Sequence, residues 1–335
     1  MQPLAGIVKN EITSMKNIIF LAILIVFSSC ATTKRTSLLT HLDKNNCNQE
    51  NSYNYLANDI AKPIYELQID TSLTSHFSSK DINLANAIGI LDLLSHYIHK
   101  INEVKETNSL QSQIDLINIR QEINNRIDLT SLEISSVSAE LDCEEERINQ
   151  IASYLKENEM KKETKLTVGS IILGSLNAIV TGILVSSNNE NNASDYIGIG
   201  VGLADAAIGV MILTNKRKIE LNHSRNVLRE IWFATETSSI YPPSIWYYLN
   251  YKNPNNRDEI SLREQLIENW KAFGQVSTSK DKSDSKVVEI YFSDGGKYST
   301  DQLENRANMY DQIESSIKLM KQDLRNLTHS IEKIN

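Results

Sequence analysis

The feature that most constrains the fold is a long stretch without helix-breaking residues. Between Leu110 and Asn189 the chain contains no proline, and its first glycine is Gly169. Aliphatic residues recur there at alternating three- and four-residue steps, which predicts one long helix with a heptad seam of about four to five repeats. At 1.5 Å per residue, the polar part of this helix alone spans roughly 75 Å. The seam positions are Ile123, Ile127, Ile134, Val137, Leu141, Ile148, Ile151 and Leu155, with Thr130 and Glu144 filling two more.

A second seam lies near the C-terminus. A helix is predicted from about Thr300, and its apolar residues keep the same spacing to the end: Leu303, Ala307, Tyr310, Ile313, Ile317, Met320, Leu324, Leu327, Ile331 and Ile334. Such seams pack helices together, within one chain or between copies, and the sequence leaves both arrangements open. With only 12 glycines and 5 prolines in 335 residues, we predict an all-α fold, an elongated antiparallel coiled coil or helical bundle.

The remaining segments are shorter. Residues 51–105 are predicted to form the N-terminal helices, one interrupted near Pro63 and a stronger one that begins with a capping box at Ser78 and Asp81 and runs to about Lys105. A long helical hairpin follows over 106–237, then an irregular aromatic region over 238–298, and the C-terminal helix over 299–335. Within 238–298 we expect a helix from Ser261 to Phe273. We also expect at most one small β-hairpin, with a strand at 287–292, a turn at 294–296 and a partner near Tyr298.

The centre of the long hairpin is apolar. Residues 166–189 carry no charge, a polar turn follows, and residues 196–215 carry only Asp205. Two apolar stretches of about 20 residues predict a helical hairpin of membrane-spanning length, with its tip at 166–215. Small residues recur every fourth position, a spacing that lets membrane helices approach closely. They are Ser170, Gly174, Ala178 and Gly182 on the first arm, and Gly198, Gly202 and Ala206 on the second.

Aligning the two arms gives a specific expectation for the charge. When the arms are folded about residue 191, Gly182 faces Gly200 and Asn177 faces Asp205. A carboxylate inside a membrane is costly unless it is paired. We therefore predict that Asp205 pairs with Asn177 and joins the arms; the alternative is that Asp205 faces water in a soluble bundle.

The N-terminal region has the pattern of an export signal. Lys16 follows Met15, an unbroken apolar run leads to Phe27, and Ser28 and Ser29 precede Cys30. We interpret residues 15–29 as the signal, 30–50 as a tether and 1–14 as an over-called start. An ordinary signal peptide is the alternative to a lipoprotein signal.

The end of this signal, Phe27-Ser28-Ser29-Cys30, resembles the lipobox of bacterial lipoproteins, although Phe27 stands where leucine is usual. The resemblance implies cleavage before Cys30, which then carries lipid on its sulfur and its amine. Ala31 in place of an aspartate implies the outer membrane of a bacterial envelope. Since no acidic surface-export pattern follows, the periplasmic face is favoured.

The charges that flank the apolar tip conflict with this export. Lys161, Lys162 and Lys165 precede it, and Lys216, Arg217 and Lys218 follow it. The positive-inside rule would place both ends in the cytoplasm. Three explanations stay open: the tip enters the outer membrane or another target bilayer after export, it is sheltered in a bundle or an oligomer, or the lipobox interpretation is wrong.

Two cysteines remain besides Cys30. An exported protein can join Cys47 to Cys143 as a disulfide, and two free thiols are the alternative. The three glutamates after Cys143 disfavour a thiolate, which argues against a reactive nucleophile.

Composition and motifs also limit the function. A net charge of −8 argues against a nucleic-acid partner. No nucleophile elbow, phosphate-binding glycine loop or zinc-protease motif is present, so we predict no enzyme, no cofactor and no metal site. The expected partners are membrane lipid and either a second protein or further copies of the chain.

The favoured function is a lipid-anchored structural adaptor or assembly component with a membrane-inserting hairpin. A layout of long amphipathic helices around a central apolar hairpin is similar to that of ClyA-type α-helical pore-forming proteins. That resemblance implies the alternative function, pore formation or membrane perturbation.

Overall fold

A computed structural model gives the fold of most of the chain. All the described residues belong to one compact unit, 46–335. The predicted signal, the predicted lipidation site Cys30 and most of the predicted tether lie outside them. The described residues are 47, 52–186, 193–214, 216–223, 225–252, 260–276 and 288–334.

The described part of the chain is mostly helical, as predicted. It also contains one two-stranded antiparallel sheet. The α-helices are α1 (Thr71–His76), α2 (Ser79–Ala87), α3 (Leu91–Thr107), α4 (Leu110–Ser186), α5 (Ala193–Leu213), α6 (Val227–Phe233), α7 (Pro243–Asn250), α8 (Leu262–Ala272) and α9 (Thr300–Glu332), and the strands are β1 (Lys218–Asn222) and β2 (Gly295–Ser299).

Helix α2 begins at the predicted capping box. Ser78 accepts a hydrogen bond from the backbone N–H of Asp81, and the Asp81 side chain accepts one from Ser78. The prediction that this helix continues to about Lys105 was wrong. Gly89 adopts a left-handed conformation with φ of +72°, and it ends α2 because this backbone geometry cannot continue a right-handed helix. A second helix, α3, starts two residues later.

Residues before α1 form short turns rather than the predicted helix around Pro63. Two 3-10 turns, Ala57–Asp59 and Ile64–Glu66, lie on either side of the proline. The backbone N–H of Tyr53 donates to the Ser239 carbonyl. This contact connects the start of the described chain to the region before α7.

Helix α4 is the predicted long helix. It has 77 residues, which corresponds to about 115 Å at 1.5 Å per residue. Helix α9 packs along it in the antiparallel direction. Lys156 pairs with Glu304 at 2.9 Å, whereas Lys321 donates to Ser135 at 2.7 Å, so a later residue of α9 lies beside an earlier residue of α4.

Most predicted seam residues of both helices are buried, whereas Glu144 and Ile334 are half-buried and Ile334 lies beyond the end of α9. The buried ones on α4 are Ile123, Ile127, Thr130, Ile134, Val137, Leu141, Ile148, Ile151 and Leu155; those on α9 are Leu303, Ala307, Tyr310, Ile313, Ile317, Met320, Leu324, Leu327 and Ile331.

Cys47 and Cys143 form a disulfide, one of the two alternatives left open by the sequence. It joins residues 96 positions apart and attaches the segment before Tyr53 to the middle of α4. A native disulfide of this kind typically contributes about 2–5 kcal/mol to the free energy of unfolding.

The sheet differs from the predicted β-hairpin. Strand β2 pairs with β1, with Lys218 opposite Ser299 and Asn222 opposite Gly295. Residues 288–292, predicted as a strand, are helical, and residues 218–222, predicted as part of a helix, form β1. The pattern Lys-Ile-Glu-Leu-Asn alternates polar and apolar residues, as strands with one buried face do. Since its partner lies far away in the chain, no local turn signal marks the pair.

The region around Pro242 and Pro243 is also more regular than predicted. Pro243 is the first residue of α7, a position where proline is favoured because the N–H it lacks would have no helical partner. The Tyr247 hydroxyl donates to Asn83 at 2.7 Å, and the Tyr248 hydroxyl donates to Asp323 at 2.7 Å. These aromatic residues therefore connect α7 to α2 and α9.

A buried arginine connects α9 to the rest of the core. The Arg306 side chain is fully buried, and its guanidinium donates to the Tyr291 carbonyl at 2.8 Å, to Asn226 at 3.0 Å and to the Tyr310 hydroxyl at 3.0 Å. Burial, together with the charge of Arg306, lowers the pKa of His223 to about 2. A neutral imidazole avoids a second positive charge in this network.

Replacing Arg306 with methionine should strongly destabilise the fold. The change leaves the buried Asn226 side-chain oxygen without its donor and removes one of the two donors to the Tyr291 carbonyl, so we expect the free energy of unfolding to fall by about 2–4 kcal/mol. Urea denaturation followed by circular dichroism measures it. The control is Arg325→Met, an exposed arginine on the same helix, which should change stability by less than about 0.5 kcal/mol. Equal effects of the two substitutions would show that the Arg306 network is not stabilising.

Candidate functional site

The candidate site is the end of the long helix and the helix that follows it. We call residues 166–186 of α4 and 193–213 of α5 the tip. The two helices pack against each other. The Ser170 hydroxyl donates to the Asp205 carboxylate at 2.9 Å, between partly buried side chains. This bond joins the two arms of the tip.

The predicted partner of Asp205, Asn177, does not lie level with it along the hairpin. Asp205 accepts a hydrogen bond from Ser170, so Ser170 and not Asn177 lies level with it. Asn177 lies seven residues beyond Ser170, about 10 Å further along the helix axis. Its side chain lies outside the described part. The prediction assumed that the arms fold symmetrically about the middle of the polar turn. The observed offset between α4 and α5 instead brings Ser170 to the level of Asp205.

Among the described residues, the predicted close packing of small residues is not found. A Cβ atom added to Gly174 or Gly202 would meet nothing within 4 Å, and Ala178 and Ala206 are exposed. The physical reason is that every fourth residue of a straight helix advances by about 40°. The stripe that starts at Ser170 therefore turns away from α5. The corresponding detail at Gly182, Gly198 and Gly200 lies outside the described part.

Large apolar side chains dominate the outer surface of the tip. Ile171 is 66 % exposed and Leu213 is 80 % exposed. Contiguous apolar surface of this kind usually marks a contact with a membrane, a protein or a ligand. Only the stripe of small residues was singled out from the sequence; at 100° per residue, the large apolar side chains of α4 spread over a wide arc outside that stripe. The other exposed members are Val168, Ile172, Leu173, Leu176, Ile179 and Val210.

Basic residues lie at the base of the tip. Lys161 pairs with Glu157 at 2.6 Å, and Lys216 pairs with Asp301 at 2.7 Å. Lys165 and Lys218 are exposed, and neither forms an ion pair with any described residue. The flanks predicted from the sequence thus retain cationic side chains that are free to meet an external anionic surface.

Three carboxylates on α4 and α9 come close together outside the tip. Oxygen atoms of Asp142, Glu145 and Glu314 lie within 4.8 Å of one another, a spacing that suits a divalent cation. However, Lys318 already pairs with Glu314. Burial, and then the neighbouring carboxylates, raise the pKa of Glu145. The negative charge of the cluster is therefore partly balanced by a lysine within the fold.

The comparisons with known proteins identify no relative. Neither a family model nor a curated protein nor a solved structure matches the chain. Among the described residues, no helix has both the length and the apolar character needed to cross a membrane.

Replacing each of two glycines with alanine distinguishes an open position from a close-packed one. Gly174→Ala should leave thermal unfolding unchanged or slightly raise its midpoint, because the added methyl meets nothing and alanine favours helix by up to about 1 kcal/mol. Gly295→Ala is the opposing control. At this glycine φ is +124° and a Cβ would lie 2.2 Å from the Leu221 carbonyl oxygen, so its midpoint should fall by several degrees. A comparable loss from Gly174→Ala would restore the close-packing hypothesis.

Proposed function

We propose that the chain is a lipid-anchored bacterial envelope protein that acts as a structural adaptor or assembly component. Helices α4 and α9 form an antiparallel coiled coil that carries the tip, and the tip inserts into a membrane. The observation that carries the proposal is the set of large apolar side chains exposed at the tip, beyond the part of α4 whose seam residues are buried against α9.

The coiled coil is supported by spacing and burial together. The buried residues of α4 and α9 follow the heptad seams, and polar pairs such as Lys156–Glu304 flank them. Such a pair is stiff over its length and suits a protein that holds other components at a distance. The same interface leaves the opposite face of α4 available for a partner.

The lipid anchor is supported by two observations. The first is the resemblance of Phe27-Ser28-Ser29-Cys30 to a lipobox. The second is the Cys47–Cys143 disulfide, because disulfides persist mainly in oxidising compartments such as the bacterial periplasm. We favour the outer membrane and its periplasmic face.

The same exposed tip also favours the second candidate function, pore formation. The two functions differ in their effect on a bilayer, since an adaptor leaves it sealed and a pore does not. Release of a trapped dye from liposomes at low protein concentration would favour the pore, whereas binding without release would favour the adaptor.

The anchor and the tip are tested together with a Cys30→Ser variant that has a cleavable, non-lipid signal. We expect labelled palmitate to be incorporated into the wild type but not into the variant. A Cys47→Ser variant, the matched control, should keep the label. After membranes are washed with alkaline carbonate, the Cys30→Ser variant should stay in the pellet because the tip itself holds it.

The other outcomes are informative. An unlabelled wild type would contradict the lipid anchor. Complete release of the Cys30→Ser variant by carbonate would show that lipid was the only attachment, and the insertion of the tip would then be wrong.

A further inference from the structure

We propose that the tip recognises an anionic lipid surface specifically, with its exposed apolar side chains in the outer hydrocarbon region and its basal lysines on the head groups. This inference rests on the proposed function and specifies the partner of the same site.

The exposed apolar side chains surround much of α4 instead of forming one narrow face. At 100° per residue, Ile171 and Leu173 point about 200° apart, and both are exposed. Val168, Ile172 and Leu176 lie between them. A protein partner usually covers one face of a helix, as in a groove. A fluid hydrocarbon environment contacts such a wide arc more completely.

Several polar groups of the tip are already bonded inside the hairpin. Ser170 donates to Asp205, and Ser175 donates to the Ile172 carbonyl at 2.9 Å. Directly after the tip, Thr214 donates to the Val210 carbonyl at 2.8 Å. Moving a polar group into hydrocarbon is costly unless it is hydrogen-bonded. These bonds reduce that cost, because the groups need no water as a partner.

Charge indicates which lipid the tip prefers. Residues 161–218 contain six Lys/Arg and four Asp/Glu, in a chain whose net charge is −8. The excess positive charge lies at the base of the tip, where Lys165 and Lys218 are exposed and form no ion pair among the described residues. Lysines at this level attract anionic head groups. The rest of the molecule is acidic, and such a surface would repel it.

The test is flotation of the full Cys30→Ser chain with vesicles, so that no covalent lipid contributes. One set is phosphatidylcholine alone, and the other contains about 30 % phosphatidylglycerol to give an anionic surface. We expect binding to the anionic vesicles at least tenfold tighter than to the neutral ones, and weaker at high salt because the charges are screened.

Paired substitutions assign the binding to the tip. Ile171→Ser with Leu176→Ser should reduce binding to anionic vesicles at least tenfold. The control, Leu129→Ser with Leu132→Ser, changes exposed apolar residues on the same helix away from the tip and should have no effect. Lys165→Glu with Lys218→Glu should abolish the preference for anionic vesicles. Its control, Lys80→Glu with Lys105→Glu, makes the same change in net charge elsewhere.

Each other outcome overturns the inference in a recognisable way. Equal binding to both kinds of vesicle would refute the anionic preference and leave the proposed function intact. No flotation of the Cys30→Ser chain would mean that the tip does not bind lipid, and that a protein covers it. Binding that survives both tip variants would assign the lipid contact to another surface. The palmitate experiment reports on the anchor independently of all three.

Discussion

The packing of α4 against α9 is the constraint on which the rest of the structure depends. Each helix contributes a buried seam, and the two seams bury each other. Helix α9 also makes contacts at both of its ends. Ser330 donates to Asp81 of α2, and Arg306 reaches Asn226 and the Tyr291 carbonyl. The small helices and the sheet are therefore assembled around a pair that is already stabilised along its length.

The exposure of the tip follows from the different lengths of the two helices. Helix α9 begins at Thr300, whose hydroxyl donates to Glu159 of α4 at 3.3 Å. Helix α4 continues to Ser186, so its last turns extend beyond the start of α9 and pack against α5. This uncovered part of α4 exposes isoleucine and leucine side chains, which is unfavourable in water. This mismatch is the physical basis of the proposed lipid contact.

Much of the helical framework could be predicted because it depends on local signals. The absence of proline defines α4, and serine caps mark the starts of α2, α8 and α9. Strand β1 was missed because it pairs with β2 across more than 70 residues, and no adjacent turn marks the pair. A strand near Tyr298 was predicted, but its partner was placed at 287–292 instead of 218–222. Arg306 was missed although it lies three residues after Leu303, on the buried face. An arginine at such a position usually predicts exposure to solvent. Arg306 can be buried because carbonyl and hydroxyl groups of neighbouring residues accept its hydrogen bonds.

The tip was predicted in its position but not in its packing. Its location follows from composition, whereas the pairing of Ser170 with Asp205 depends on how far one helix is shifted along the other. Sequence spacing alone does not define this shift, because any polar residue on the facing side of α4 can satisfy the carboxylate. The disulfide likewise required the distance between two remote segments, which the three-dimensional fold supplies.

Hydrogen exchange measured with and without anionic vesicles is the most direct test of the account. It shows whether one part of α4 is buried against α9 and another part binds lipid. Amides at 123–155, buried against α9, should exchange slowly under both conditions, and vesicles should slow exchange at 168–179 while leaving 123–155 unchanged. Equal protection of 168–179 in the absence and presence of vesicles would contradict the account. That result would mean either that protein already covers the tip or that the tip has no affinity for lipid.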